Sequence, residues 1–252
     1  MLALLESFEL TQADWAVVVV CALLVGFAKT GIAGVGILVV PLMAEVFGAR
    51  PSTGIVLPML CAGDLFAIRY YHRHAEWRHV LRLLPWALVG LGVGLLVGKR
   101  VDETVFRQIM AVSILAGVAI MVWRERLGDA ARPPERWWFA AVMGIAGGFT
   151  TMVGNAAGPV MALYLLAMRL PKYSYIGTGA WYFAIVNLIK VPLHIFVWGT
   201  ITTRTAALDL AIVPAIAVGA IVGIFTVKRI PEAPFRRLMI GLAAVAAVKL
   251  LI

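Results

Sequence analysis

Gly26-Phe27-Ala28-Lys29-Thr30-Gly31, early in the chain, is echoed much later by Gly147-Gly148-Phe149-Thr150-Thr151-Met152-Val153-Gly154-Asn155. Both stretches break long apolar runs with glycine, and a second echo follows each. Gly98-Lys99-Arg100-Val101, with Glu103 and Phe106-Arg107, is matched by Val227-Lys228-Arg229-Ile230, with Glu232 and Phe235-Arg236. Leu84-Pro85 and Val213-Pro214 keep the same offset from those echoes. A duplicated, glycine-interrupted apolar chain is the pattern of membrane transporters built from structural repeats. The division is residues 1–124 and 137–252 as two transmembrane repeats, joined by a cytoplasmic linker at 125–136.

Composition places the chain in the membrane. Hydrophobic residues make up 62% and charged residues 14% of the 252, and the mean hydropathy is +0.95. Soluble domains run at about 45–50% apolar and about 25% charged. The net charge of +9 comes from short basic clusters between apolar runs, which is loop chemistry at a membrane surface and calls for no nucleic acid. Cys21 and Cys61 sit inside apolar runs without metal or disulfide spacing and read as buried thiols. The N-terminus carries Glu6, Glu9 and Asp14 and no basic residue, so no signal-peptide cleavage is expected.

Candidate helices are expected at roughly 13–29, 31–48, 52–71, 80–98 and 104–123, then at 137–152, 155–169, 173–198, 205–227 and 234–251. The first two of each half fall short of the roughly 20 residues of a full span. They read either as short spans or as arms of a re-entrant hairpin. Loop charge separates the topologies. If each broken pair returns the chain to its starting side, one face collects Arg69, Arg73, Arg78, Arg82, Arg124, Arg126, Arg132, Arg136, Arg169, Lys172, Lys228, Arg229, Arg236 and Arg237. The other holds only Arg50, Lys99, Arg100, Arg107 and Arg204. Counting each pair as one span spreads the same residues almost evenly. The positive-inside rule selects the first arrangement. It puts the N-terminus outside the cytoplasm and makes the halves inverted relative to one another. The expected fold class is therefore an all-α polytopic membrane protein of two inverted repeats, each with a Gly-broken helix pair, in the cytoplasmic (inner) membrane.

Three distinctive stretches are Asn155-Ala156-Ala157-Gly158-Pro159 with Tyr164-Leu165-Leu166, Gly177-Thr178-Gly179-Ala180-Trp181, and Val186-Asn187-Leu188-Ile189-Lys190-Val191-Pro192. Together they resemble the sulfite exporter TauE/SafE family of membrane permeases. Leu57-Pro58, Gly63-Asp64-Leu65 and the Tyr70-Tyr71 to Trp77-Arg78 stretch also look like one branch of that family. The resemblance covers nearly the whole chain. It implies transport of small sulfur-containing or organic anions such as sulfite and sulfonates, and it supports the transport class better than any one anion.

Charges inside hydrocarbon cost roughly 2.5–3.5 kcal/mol each on insertion scales and mark function by default. Lys190 lies deep in its segment, on the face of Asn187 at i,i+3 and two residues before Pro192. It reads as the positive centre that draws an anion in, or as the partner of Asp64, or as a snorkelling stem. Lys29 sits at the first glycine break, where a helix start offers unpaired N–H groups to an anion. The alternative is small-residue packing with Lys29 snorkelling. The counterpart break supplies Thr150, Thr151 and Asn155 as neutral hydrogen-bonding groups. Asp64 reads as the only carboxylate far inside an apolar segment, to be paired with a lysine or to couple transport to protons. Aligning the halves sets Asp64 against Asn187.

His72, His74 and His79 with Glu76 form the one metal-like cluster, but Arg73 and Arg78 beside it repel a cation, and no second ligand set exists. His194 reads as a helix-packing histidine, and the tryptophans at segment ends as an aromatic belt. No nucleotide-binding P-loop is present and no cofactor or metal is called for. The expectation is a secondary transporter of a small anion, not an enzyme, with substrate residues Lys29, Thr150, Thr151, Asn155, Asn187 and Lys190 and with Asp64 for coupling or charge balance. The rival readings are an anion channel or a membrane-embedded metalloenzyme. The expected partners are the anion and the lipid bilayer, and the residues leave a homo-oligomer open.

Overall fold

The structure is a computed structural model that describes residues 7–31, 33–127, 137–231 and 234. The described residues form nine α-helices: α1 (Gln12–Thr30), α2 (Val39–Phe47), α3 (Ala49–Tyr71), α4 (Trp77–Arg100), α5 (Glu103–Leu127), α6 (Trp137–Gly154), α7 (Gly158–Ala167), α8 (Lys172–Phe196) and α9 (Thr203–Arg229). Among the described residues six helices are long and apolar enough to cross a membrane: α1, α3, α4, α6, α8 and α9. The chain is thus an all-α polytopic membrane protein. All but the first residue of the expected segment at 234–251, and most of the linker, lie outside the described residues.

Local chemistry sets the helix ends. Thr11 and Asp14 cap α1 reciprocally, and Thr202 and Thr205 do the same for α9; each pair satisfies two backbone donors that a helix start leaves open. Pro58, Pro85, Pro192 and Pro214 lie inside helices, as transmembrane helices tolerate where neighbours re-satisfy the freed groups.

The expected second segment, 31–48, is not one helix. After Thr30 the chain passes Gly31, forms a 3-10 turn over Ala33–Leu38 and resumes as the nine-residue α2. Gly34 and Gly36 each weaken an α-helix by about 1 kcal/mol relative to alanine, so the tighter turn replaces it. In the second half α6 stops where Asn155 takes a left-handed conformation, φ +52°, one that Asn adopts more readily than most side chains. The ten-residue α7 then starts at Gly158-Pro159, proline suiting a first turn.

Two helix pairs pack backbone to backbone. A Cβ on Gly26 would lie 1.9 Å from the Ile216 carbonyl oxygen, and one on Gly219 would lie 2.0 Å from that of Leu23. A Cβ on Gly148 would lie 2.1 Å from the Ala87 oxygen, and one on Gly90 would lie 2.1 Å from that of Ile145. Small-residue contacts of this kind let helices approach closely without a hydrophobic driving force between them. Contacts advance in the same sense along both members, so α1 and α9 run parallel, as do α4 and α6. By contrast α3 and α8 are antiparallel: Gly54 meets Thr200, Asp64 meets Asn187, and Glu76 meets Thr178.

These contacts make a sharp packing prediction. Gly148→Val and Gly90→Val should each destabilise the detergent-solubilised protein by about 1–3 kcal/mol or more, the cost of overpacking a filled interface. Gly92, whose Cβ would meet nothing within 4 Å, should accept alanine with an unchanged melting temperature. Equal melting of Gly148→Val and wild type would contradict the close packing of α4 on α6.

Candidate functional site

The two helix breaks and the middles of α3 and α8 meet at one place. Lys29, in the last turn of α1, reaches Asp64 on α3: Nζ lies 2.6 Å from Oδ1. Asn187 Nδ2 on α8 donates to Asp64 Oδ2 at 2.7 Å, so one carboxylate is gripped from two helices. Because an ionised carboxylate only accepts, the orientation of the Asn187 amide follows. Its Oδ1 is left buried with no partner. The Lys29 ammonium also lies 4.5 Å from the centre of the Phe183 ring, a cation–π contact. Lys29 is 13% exposed while Asp64 is 1% exposed, so the lysine is the member of the pair that a ligand can reach.

A second polar group sits beside the first. Lys190, fully buried on α8, donates to Thr151 Oγ1 at 3.1 Å and to Asn155 Oδ1. The Asn155 amide donates in turn to the Thr53 carbonyl at 2.9 Å, which ties the α6–α7 break to the first turn of α3. Between the two groups is a cavity of about 70 Å³ lined by Lys29, Thr151, Asn155, Asn187, Phe183 and Gly158 among others. A single water needs about 10–15 Å³ on a comparable measure, so the space suits several waters or a small ion. A neighbouring cavity of about 50 Å³ shares Ala28, Lys29, Gly158 and Phe183 with it and is otherwise lined by apolar side chains and Tyr175. Gly158 opens α7, whose N-terminus has no side-chain cap.

Of the residues singled out in the sequence, Lys29, Thr151, Asn155 and Asn187 line the larger cavity, Asp64 grips Lys29 from behind, and Lys190 stands behind Thr151 and Asn155. Thr150 is different. Its hydroxyl donates to the Ala146 and Gly147 carbonyls of its own helix, and it lines neither cavity. Asp64 pairs with Lys29, not with Lys190.

Asp209 is the residue that sequence reading missed. Buried on α9 with neither carboxylate oxygen partnered, it is a second carboxylate inside an apolar segment. Its sequence signal was the Leu208-Asp209-Leu210 run. The histidine cluster is elsewhere: His72 and His74 are exposed in the turn after α3, and His79 Nδ1 lies 3.0 Å from Tyr164 Oη. Among the described residues no group of three or more His, Cys, Asp or Glu is placed to hold a metal. His194 Nδ1 bonds to Thr200 Oγ1 at 2.8 Å, fastening the turn between α8 and α9.

Membrane-length helices α1, α3, α6 and α8 enclose a cavity that holds a lysine side chain among polar groups, the arrangement of a membrane transport protein. The sequence matches the family model "Sulfite exporter TauE/SafE" over residues 18–250, and the chain belongs to that family. Searches of curated proteins and of solved structures returned no match.

Proposed function

We propose that this protein is a secondary transporter that moves a small anion, such as sulfite, a sulfonate or a related organic anion, across the cytoplasmic (inner) membrane by alternating access between two inverted halves. The observation that carries this reading is the larger cavity, where Lys29 presents its accessible ammonium beside Thr151, Asn155, Asn187 and the uncapped start of α7. A cation, amide and hydroxyl donors, and a helix N-terminus are complementary to an anion. Lys190 adds positive charge from behind, and Asp64 balances Lys29.

Helix directions support the inverted halves. The α1–α9 and α4–α6 contacts have the same form and are both parallel, while α3 and α8 cross antiparallel at Asp64–Asn187. Those contacts are what a two-fold axis in the membrane plane produces when it exchanges α1 with α6, α3 with α8 and α4 with α9. Inverted repeats of this kind place their site near the midplane at the repeat interface. The N-terminus then lies outside the cytoplasm, a side that impermeant thiol labelling of a cysteine at Ser7 reports directly. Labelling only after the membrane is opened would contradict the orientation.

Reconstituted vesicles offered sulfite, sulfonates and carboxylates test the function. Saturable uptake of at least one of these anions, with counterflow from preloaded vesicles, is the expected result. Unsaturable flux would make the protein a channel. Loss of activity on replacing His72, His74 or Glu76 would favour a metalloenzyme, whereas a transporter tolerates those changes.

A further inference from the structure

Among the described residues Lys190 is a buried basic side chain with no carboxylate partner. It is fully buried, and its described contacts are two neutral oxygens, Thr151 Oγ1 and Asn155 Oδ1. Asp64, the nearest candidate carboxylate on α3, is already held by Lys29 and Asn187. The Lys29–Asp64 pair carries no net charge, so the charge of the whole site equals that of Lys190. An uncompensated ammonium in a protein interior is strongly disfavoured, and an amine in the same place is not. Yet both oxygens that hold Lys190 belong to residues lining the cavity. A negative ion there would supply the missing counter-charge across a single layer of side chains.

We infer that Lys190 is the proton-carrying group of the transporter: it is an uncharged amine when the cavity is empty and takes up one proton as an anion enters. The step balances. The Lys190 amine, one monovalent anion and one proton from the water on the open side become a Lys190 ammonium and a bound anion. The site is neutral before and after, so the central layer of the protein reorients without carrying net charge, loaded or empty. Release reverses the step on the other side, and one proton crosses with each anion. The inference rests on the anion reading of the cavity and adds the coupling ion and the valence of the substrate.

Other titratable groups face this region, and each is a rival carrier. They are Lys29 on α1, Cys61 and Asp64 on α3, and His194 one turn beyond Lys190 on α8; α6 and α7 contribute the non-titrating Thr151, Asn155 and Gly158. Asp209 on α9 lies further off, within electrostatic reach of Cys61.

Methanesulfonate, isethionate and trifluoroacetate suit the test, because their conjugate acids are strong and they bring no proton of their own. Binding to the purified full-length protein is measured by calorimetry in two buffers of different ionisation enthalpy. The expected result above neutral pH is uptake of about one proton per anion, with Kd weakening up to tenfold per pH unit as linkage requires. In vesicles, an imposed pH gradient at clamped voltage then drives accumulation. Lys190→Arg, charged at every pH, should bind the anion with a Kd flat in pH, take up no proton and lose the response to the gradient. Asp64→Asn and Asp209→Asn locate the proton if it is carried elsewhere.

Wild-type binding with no proton uptake would overturn the inference and leave the anion site standing. So would uptake that survives in Lys190→Arg and disappears in Asp64→Asn or Asp209→Asn. Failure of all three anions, and of sulfite and carboxylates, to bind or move would overturn the anion reading and this inference with it. Should Lys190→Arg not fold, the wild-type buffer comparison and gradient response decide alone.

Discussion

Lys29→Ala should remove saturable anion flux, lowering the initial rate in vesicles by at least about a hundredfold. Breaking a buried ion pair by deleting one partner costs about 3–5 kcal/mol, and here the deletion strands Asp64 with only the Asn187 amide as partner. Part of that loss is structural. The double variant Lys29→Ala/Asp64→Asn separates the two: it should regain much of the thermal stability of the wild type and none of the flux. Recovery of flux in the double variant would show that Lys29 serves only to neutralise Asp64. Lys29→Arg keeps the charge and should keep measurable transport.

The second large effect is expected at Asn155. Its left-handed backbone, φ +52°, costs a residue such as alanine about 1–2 kcal/mol. Its side chain also links Lys190 to the Thr53 carbonyl through two hydrogen bonds, and each such bond between uncharged groups contributes about 0.5–1.5 kcal/mol. Asn155→Ala should therefore lose about 3 kcal/mol or more, read as a lower melting temperature, and more than tenfold in transport. Asn155→Gly removes the backbone penalty alone, so stability should partly return while transport stays low. Wild-type transport by Asn155→Gly would exclude the side chain from the site.

Legibility followed the range of the interaction. Apolar runs are written in consecutive residues, so the membrane class and most helix limits could be read directly. The family stretches around Asn155 and Asn187 were legible for the same reason. Partner choice was not. Lys29 and Lys190 were both available to Asp64, and the choice between them depends on how α1, α3 and α8 stack, which no local pattern encodes. Thr150 and Thr151 are neighbours on one helix, 100° apart around its axis; one meets Lys190 and the other turns back onto its own carbonyls. Asp209 escaped notice because its burial comes from α1 and α3 packing over α9. The 31–48 segment was misjudged despite its glycines, since hydropathy alone does not distinguish a 3-10 turn from a helix.

The most direct test of an anion site at Lys29 is protection from labelling. Ala28 lines both cavities and precedes Lys29. An Ala28→Cys protein, with Cys21 and Cys61 replaced by serine, would be reacted with a small thiol reagent in vesicles, with and without an anion that saturates transport. Saturating anion should slow labelling several-fold, with half-protection at the concentration that half-saturates transport. Labelling at an unchanged rate under those conditions would contradict the site.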